Sequence, residues 1–144
     1  MDCIRPAKPP VSSAPTVMLV KVVDASALAA LLYGEPEAEA VATRLGDARL
    51  VAPVLLGFEL ANVCLIKSRR HPEKRATLAA AFKLRHRLNL EEVSVDHDGT
   101  VELATATGLT AYDASYLWLA RHLGAELITL DSQLARAEAA LLPK

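Results

Sequence analysis

Residues 18–28 read M-L-V-K-V-V-D-A-S-A-L. Leu19, Val20, Val22 and Val23 form an apolar, β-branched-rich run of strand length, and at Asp24 small and helix-favouring residues take over. The stretch therefore reads as a strand that ends in a carboxylate and feeds a helix. In an open parallel α/β sheet ligands collect beyond the carboxyl ends of the strands, which stands Asp24 at the mouth of a site.

Working outward, the helix after Asp24 is expected to run to about Tyr33, with Gly34 breaking it. Glu35-Pro36-Glu37 opens a second helix, acids and proline in its first turn as the macrodipole favours, and Gly46 ends it. Leu50 to Val54 reads as a strand. From Leu55 to about Ser68 runs a helix apolar nearly all round, interrupted by Glu59 and Asn62 at i and i+3 on one face. His71-Pro72 starts a further helix to about Leu88, with Leu78, Ala79, Phe82 and Leu84 as inward candidates. Glu92 to Val95 is the third expected strand, followed by a helix capped by Asp96 or Asp98 and closed by Gly108. An amphipathic helix then covers Thr110 to Ala120 and ends near Gly124; a fourth strand spans Glu126 to Leu130, stopping at Asp131; and Ser132 to Leu141 is the last helix. Strands alternating with helices imply a parallel sheet with helices on both faces.

A length of 144 residues, 52% of them hydrophobic and 23% charged, suits one globular domain with a real core. No apolar run reaches the ~18 residues of a membrane span, and no secretory h-region is present, so a cytoplasmic location is expected. Residues 1–17, with Pro6, Pro9, Pro10 and Pro15, read as a flexible tail before a domain over 18–144, and Met18 is a candidate native start. Cys3 and Cys64 have no spacing that indicates a disulfide frame or a zinc site.

The net charge of −1 argues against wholesale nucleic-acid binding but hides a polarised chain. Residues 67–87 hold eight bases (Lys67, Arg69, Arg70, Lys74, Arg75, Lys83, Arg85, Arg87) against Glu73 alone, while residues 88–144 hold three bases against nine acids. The basic stretch is either a phosphate-facing surface or simply a solvated helix face.

Four acids interrupt otherwise orderly elements. Asp24 and Asp131 end strands, Asp113 sits in the first turn of a helix, and Glu59 breaks an apolar one. Each has a structural explanation: Asp24 and Asp131 as N-caps, Thr110-x-x-Asp113 as a capping box, Glu59 as a snorkelling or paired side chain. Caps do not account for Glu59, and the sheet geometry puts both strand-end acids on one edge. Two carboxylates at ~4 Å repel by about 4 kcal/mol at an effective dielectric of ~20, so a cluster calls for a cation or raised pKa values. An all-oxygen set selects Mg²⁺ or Mn²⁺, which can activate a water against a phosphodiester.

Taken in order, V-V-D-A-S-A-L, F-E-L-A-N-V, A-Y-D-A-S-Y-L-W-L-A and L-I-T-L-D-S-Q-L resemble the PIN-domain ribonucleases, most closely the VapC-type toxins of toxin–antitoxin pairs. The resemblance runs from about Val20 to Leu141. It implies a three-layer α/β/α domain with a central parallel sheet of four to five strands. It implies a metal-dependent endoribonuclease toxin, with Asp24, Glu59, Asp113 and Asp131 as metal ligands or activators of water, and Ser26, Asn62 and Thr129 as supporting residues. It also implies an RNA substrate, a homodimer and a VapB-like antitoxin that inserts into the site. Lys67, Arg69, Arg70, Lys74 and Arg75 are the nominated RNA-facing residues, from charge alone.

Other chemistries fit less well. A metal-free ribonuclease needs a His pair or a His and Lys on facing strands, and His71, His86, His97 and His122 fall on expected helices or loops. A haloacid-dehalogenase-like phosphatase needs an Asp where Ser26 stands, and a phosphate receiver needs an acid pair near the first strand and a lysine after the last. The competing reading from another class is a catalytically silent PIN-like module that binds RNA or protein.

Overall fold

Valine-rich Val20–Val23 forms β1, the strand on which the other three are ordered. A computed structural model describes residues 19–141, so the tail expected over 1–17, Met18 and Cys3 lie outside the described residues. The sheet is parallel throughout, in the order β3-β2-β1-β4, with β2 at Arg49–Pro53, β3 at Leu90–Val93 and β4 at Glu126–Ile128. Val22 pairs with Val51 on one side and Leu127 on the other. The chain winds outward from β1 through β2 to β3, then returns to the far side of β1. The strand order thus reverses between β1 and β4, the place where open α/β sheets bind ligands.

Helices cover both faces. With the right-handed crossovers that parallel sheets adopt, α1 (Ala25–Leu32), α2 (Ala38–Leu45), α3 (Leu56–Arg70) and α4 (Arg75–Lys83) fall on one face. The return from β3 to β4 places α5 (His97–Thr107) and α6 (Ala111–Leu123) on the other, with α7 (Ser132–Leu141) after β4. Packing follows that division: α1 touches α2 and α3, while α6 lies on β1 and β2 beside α5 and α7. Val22, Val23, Leu28, Leu60, Leu117, Leu127 and Ile128 are the centre of the core. Gly99 lets α5 approach α6 closely, since a Cβ there would stand 2.5 Å from Trp118 Nε1. Trp118 is half-buried with its ring stacked on His122 at 4.7 Å. Among the described residues no helix is long and apolar enough to cross a membrane.

Several element boundaries depart from expectation: β2 is shifted by one residue from the expected Leu50 to Val54, and α2 opens only at Ala38, with Pro36 in the turn before it and Glu37 as an N-cap whose side chain makes no capping bond. β4 stops at Ile128 rather than Leu130, because the next amides leave the ladder: Leu130 N donates to Ser26 Oγ and Asp131 N to Thr129 Oγ1. β3 spans Leu90–Val93 rather than Glu92 to Val95, with Leu90 in register with Leu50. The helix expected from Pro72 to Leu88 divides into a 3₁₀ turn at Pro72–Lys74, α4, and a second 3₁₀ turn at Leu84–Arg87. It packs on one side only, so Leu78 and Phe82 are half-buried while Ala79 and Leu84 are exposed. Four helix ends form as read: Asp96 accepts from Gly99 N, Thr110 from Asp113 N, and Gly108 and Gly124 end α5 and α6.

Candidate active site

Asp24 follows β1 directly, and its amide continues the ladder by donating to Ile128 O at 3.1 Å, which draws the ends of β1 and β4 together. Asp24 as a whole is 5% exposed. Oδ1 accepts from Ala27 N at 3.0 Å, capping α1, and from Ser26 Oγ at 2.7 Å; Oδ2 accepts from Thr129 Oγ1. Thr129 in turn accepts from Asp131 N at 2.9 Å, and Asp131 Oδ1 caps α7 through Leu134 N at 2.8 Å. Two hydroxyls, Ser26 and Thr129, thereby tie both strand-end acids into one network. The capping reading of Asp24 and Asp131 is correct as far as it goes, and it leaves oxygen lone pairs of both acids unused.

Glu59 lies in the first turn of α3, half-buried, its side chain directed at α6. Oε1 accepts from the Tyr116 hydroxyl at 2.5 Å. Asp113 stands one turn before Tyr116 on α6. The capping bond there runs from the Asp113 backbone amide to Thr110 Oγ1 at 3.1 Å, and neither carboxylate oxygen of Asp113 has a hydrogen-bond partner among the described residues.

Electrostatics join the four acids. Burial pushes the Asp24 carboxyl above its ordinary range; hydrogen bonds from Thr129, Ala27 and Ser26 oppose this, and the charge of Asp131 adds to it. Glu59 is raised by burial, lowered by the Tyr116 bond and raised again by Asp113 and Asp24. Asp113 is raised by burial and by the charges of Asp131 and Asp24. Acids contributed by four separate elements thus act on one another at the β1/β4 switch. Among the described residues no three His, Cys, Asp or Glu side chains are drawn close enough to enclose an ion as they stand. The chemistry of the donor set nevertheless fits a hard divalent cation: carboxylate oxygens only, each acid with lone pairs to spare, and raised pKa values that a positive charge would reverse.

The other nominated residues are placed differently. Asn62 is exposed one turn below Glu59 and has no hydrogen-bond partner among the described residues. Lys67 pairs with Glu35 and sits 5.8 Å from the Tyr33 ring, which fastens α3 to the end of α1. Arg69, Arg70, Lys74 and Arg75 are exposed at the far end of α3 and the turn beyond, without ion pairs among the described residues. Ten residues of helix, ~15 Å at 1.5 Å per residue, separate Glu59 from Arg69. Sequence reading passed over Tyr116. The available signal was its place three residues after Asp113, on the same face of α6.

The PIN domain family model matches residues 21–140. Ribonuclease VapC3 of Pyrobaculum aerophilum is 32% identical over 126 residues, covering 84% of this chain and 96% of the relative. Among solved structures, PAE2754 from Pyrobaculum aerophilum superposes with a TM-score of 0.68 at 26% identity, over 83% of this chain and 84% of that one. With a family model that spans nearly all of the described residues and a relative 32% identical over most of its own length, the chain belongs to the PIN domain family.

Proposed function

We propose that this protein is a metal-dependent endoribonuclease of the VapC type. The observation that carries the reading is that Asp24, Glu59, Asp113 and Asp131 are linked by their charges around the one place in the sheet where the strand order reverses. The kinship with a protein named as a ribonuclease supports RNA as the substrate. Asp24, Glu59, Asp113 and Asp131 would hold Mg²⁺ or Mn²⁺. When bound, the cation supplies charge for the phosphodiester oxygens and lowers the pKa of an attacking water. The residues of the chain do the rest. Ser26 and Thr129 hold Asp24 in a single orientation, so the end of β1 does not have to reorganise during reaction. Asp113, neither of whose carboxylate oxygens has a hydrogen-bond partner among the described residues, is the acid best placed to take the proton of the attacking water.

Arg69, Arg70, Lys74 and Arg75 stand too far away to touch the scissile phosphate. On this reading they bind the backbone of a long RNA well away from the cut, with Lys67 engaged by Glu35 instead. The VapC-type reading carries with it a cognate VapB-like antitoxin, a homodimer and a cytoplasmic site of action, with residues 1–17 outside the catalytic domain.

The test is cleavage of total RNA by the purified chain with Mg²⁺ or Mn²⁺, with EDTA, and with Asp113→Asn as control. Discrete products that disappear with EDTA and in the variant are the expected result. Absence of cleavage by folded, metal-replete, antitoxin-free protein would overturn the enzyme reading.

A further inference from the structure

Tyr116 is 1% exposed, its ring is packed in the core, and its hydroxyl donates to Glu59 Oε1 at 2.5 Å. A phenol at that depth that ends on a carboxylate of the acidic cluster is not needed to fill space, since phenylalanine would fill it equally well. We infer that Tyr116 is a positioning residue, holding Glu59 in the cluster ready for a divalent cation; the inference rests on the carboxylates being the cation's ligands.

Glu59 is intrinsically flexible. Its side chain has three rotatable bonds, and nearby stand Asp113 and Asp24, whose charges act against its own. Left alone, a half-buried glutamate in such company lowers its energy by turning towards water. The only hydrogen bond that opposes this among the described residues comes from Tyr116. Oε1 is engaged and Oε2 is left free. Tyr116 and Asp113 lie one turn apart on α6, so the helix that brings one acid to the site also supplies the clamp for another. Ordering the side chain before the cation arrives removes that entropy cost from binding. Outer groups that orient a metal-binding side chain commonly change metal affinity by about 10–100-fold when removed.

The experiment is calorimetric titration of Mn²⁺ into the full chain as wild type, Tyr116→Phe, Glu59→Gln and the double variant, with metal-free thermal melts of each. The expected result is Mn²⁺ affinity at least about tenfold weaker in Tyr116→Phe, with its metal-free melt close to wild type. The double variant should bind no more weakly than Glu59→Gln, because the phenol acts only through that carboxylate. In cleavage assays the Mn²⁺ concentration for half-maximal activity should rise in Tyr116→Phe while the KM for RNA stays put. Wild-type Mn²⁺ affinity in Tyr116→Phe alongside weakened binding in Glu59→Gln would overturn the inference and leave the metal reading standing. Unchanged affinity in Glu59→Gln would instead overturn the assignment of Glu59 as a ligand, and the role of Tyr116 with it.

Discussion

The two charged regions of this molecule are built in opposite ways. At the β1/β4 switch the acids are buried or half-buried, and Asp24, Ser26, Thr129 and Asp131 share hydrogen bonds that cross from one strand end to the other. At the far end of α3 and into α4 the bases Arg69, Arg70, Lys74 and Arg75 are exposed, and α4 has no buried residue. Like charges are tolerated in water at the second region at little cost. At the first they are forced together by the fold against both desolvation and repulsion, an arrangement that needs a use to account for it. A run of charge is thus weak evidence of a site, whereas charge concentrated against its own electrostatics is strong evidence.

Cleavage rates separate the two regions by the widest margin. Asp113→Asn should lower RNA cleavage by about a thousandfold or more, the scale of losing several kcal/mol of transition-state stabilisation. Equal losses from alanine at Arg75 would erase the distinction between the two regions. A smaller effect sharpens the account of the mouth. Thr129→Val removes the donor to Asp24 and the acceptor for Asp131 N together, and should cost about 1–3 kcal/mol in urea unfolding. A cost near zero would mean that the two strand ends are held together by the ladder alone.

The pH dependence of the metal-free protein offers a third test. Asp24, Glu59 and Asp113 have folded pKa values above their ordinary 3.8, 4.5 and 3.8. Such groups contribute stability that is fully present below those ordinary values and is lost as pH rises through the raised folded values, as the folded state holds protons the unfolded chain has released. Melts in EDTA should therefore show Asp113→Asn gaining on wild type as pH rises through that range, and standing at least as stable at neutral pH. A variant that instead loses ground would indicate that the Asp113 carboxylate serves the fold. The smallest effects belong to the basic end. Single alanine substitutions at Arg69, Arg70, Lys74 or Arg75 should leave the melting temperature unmoved and reduce the salt slope of RNA binding by about one each. No change in slope would mark that stretch as a solvated helix face.

Much of this was readable in the linear chain, for identifiable reasons. The apolar run ending at Asp24, the Thr110 and Asp96 caps, and Gly108 and Gly124 as helix ends are local features, decided by residues within a few positions of one another. The four acids were legible because each interrupts a local pattern. The early end of β4 was not legible, since it depends on Ser26, 104 residues away from Leu130. Ala79 and Leu84 looked apolar enough to be core, but burial depends on what packs opposite, and α4 has a neighbour on one side only.

By itself, then, the chain determined the alternation of strands and helices, the caps and the identity of the acids, because propensity and capping act over a turn or a strand. Only tertiary structure decided that β4 returns beside β1, which makes the switch point and gathers four distant acids there. Only it engaged Lys67 with Glu35 and set Tyr116 against Glu59, partners 57 residues apart. Contacts over such separations arise from how the sheet is wound and how helices pack across it, and no window of sequence contains them.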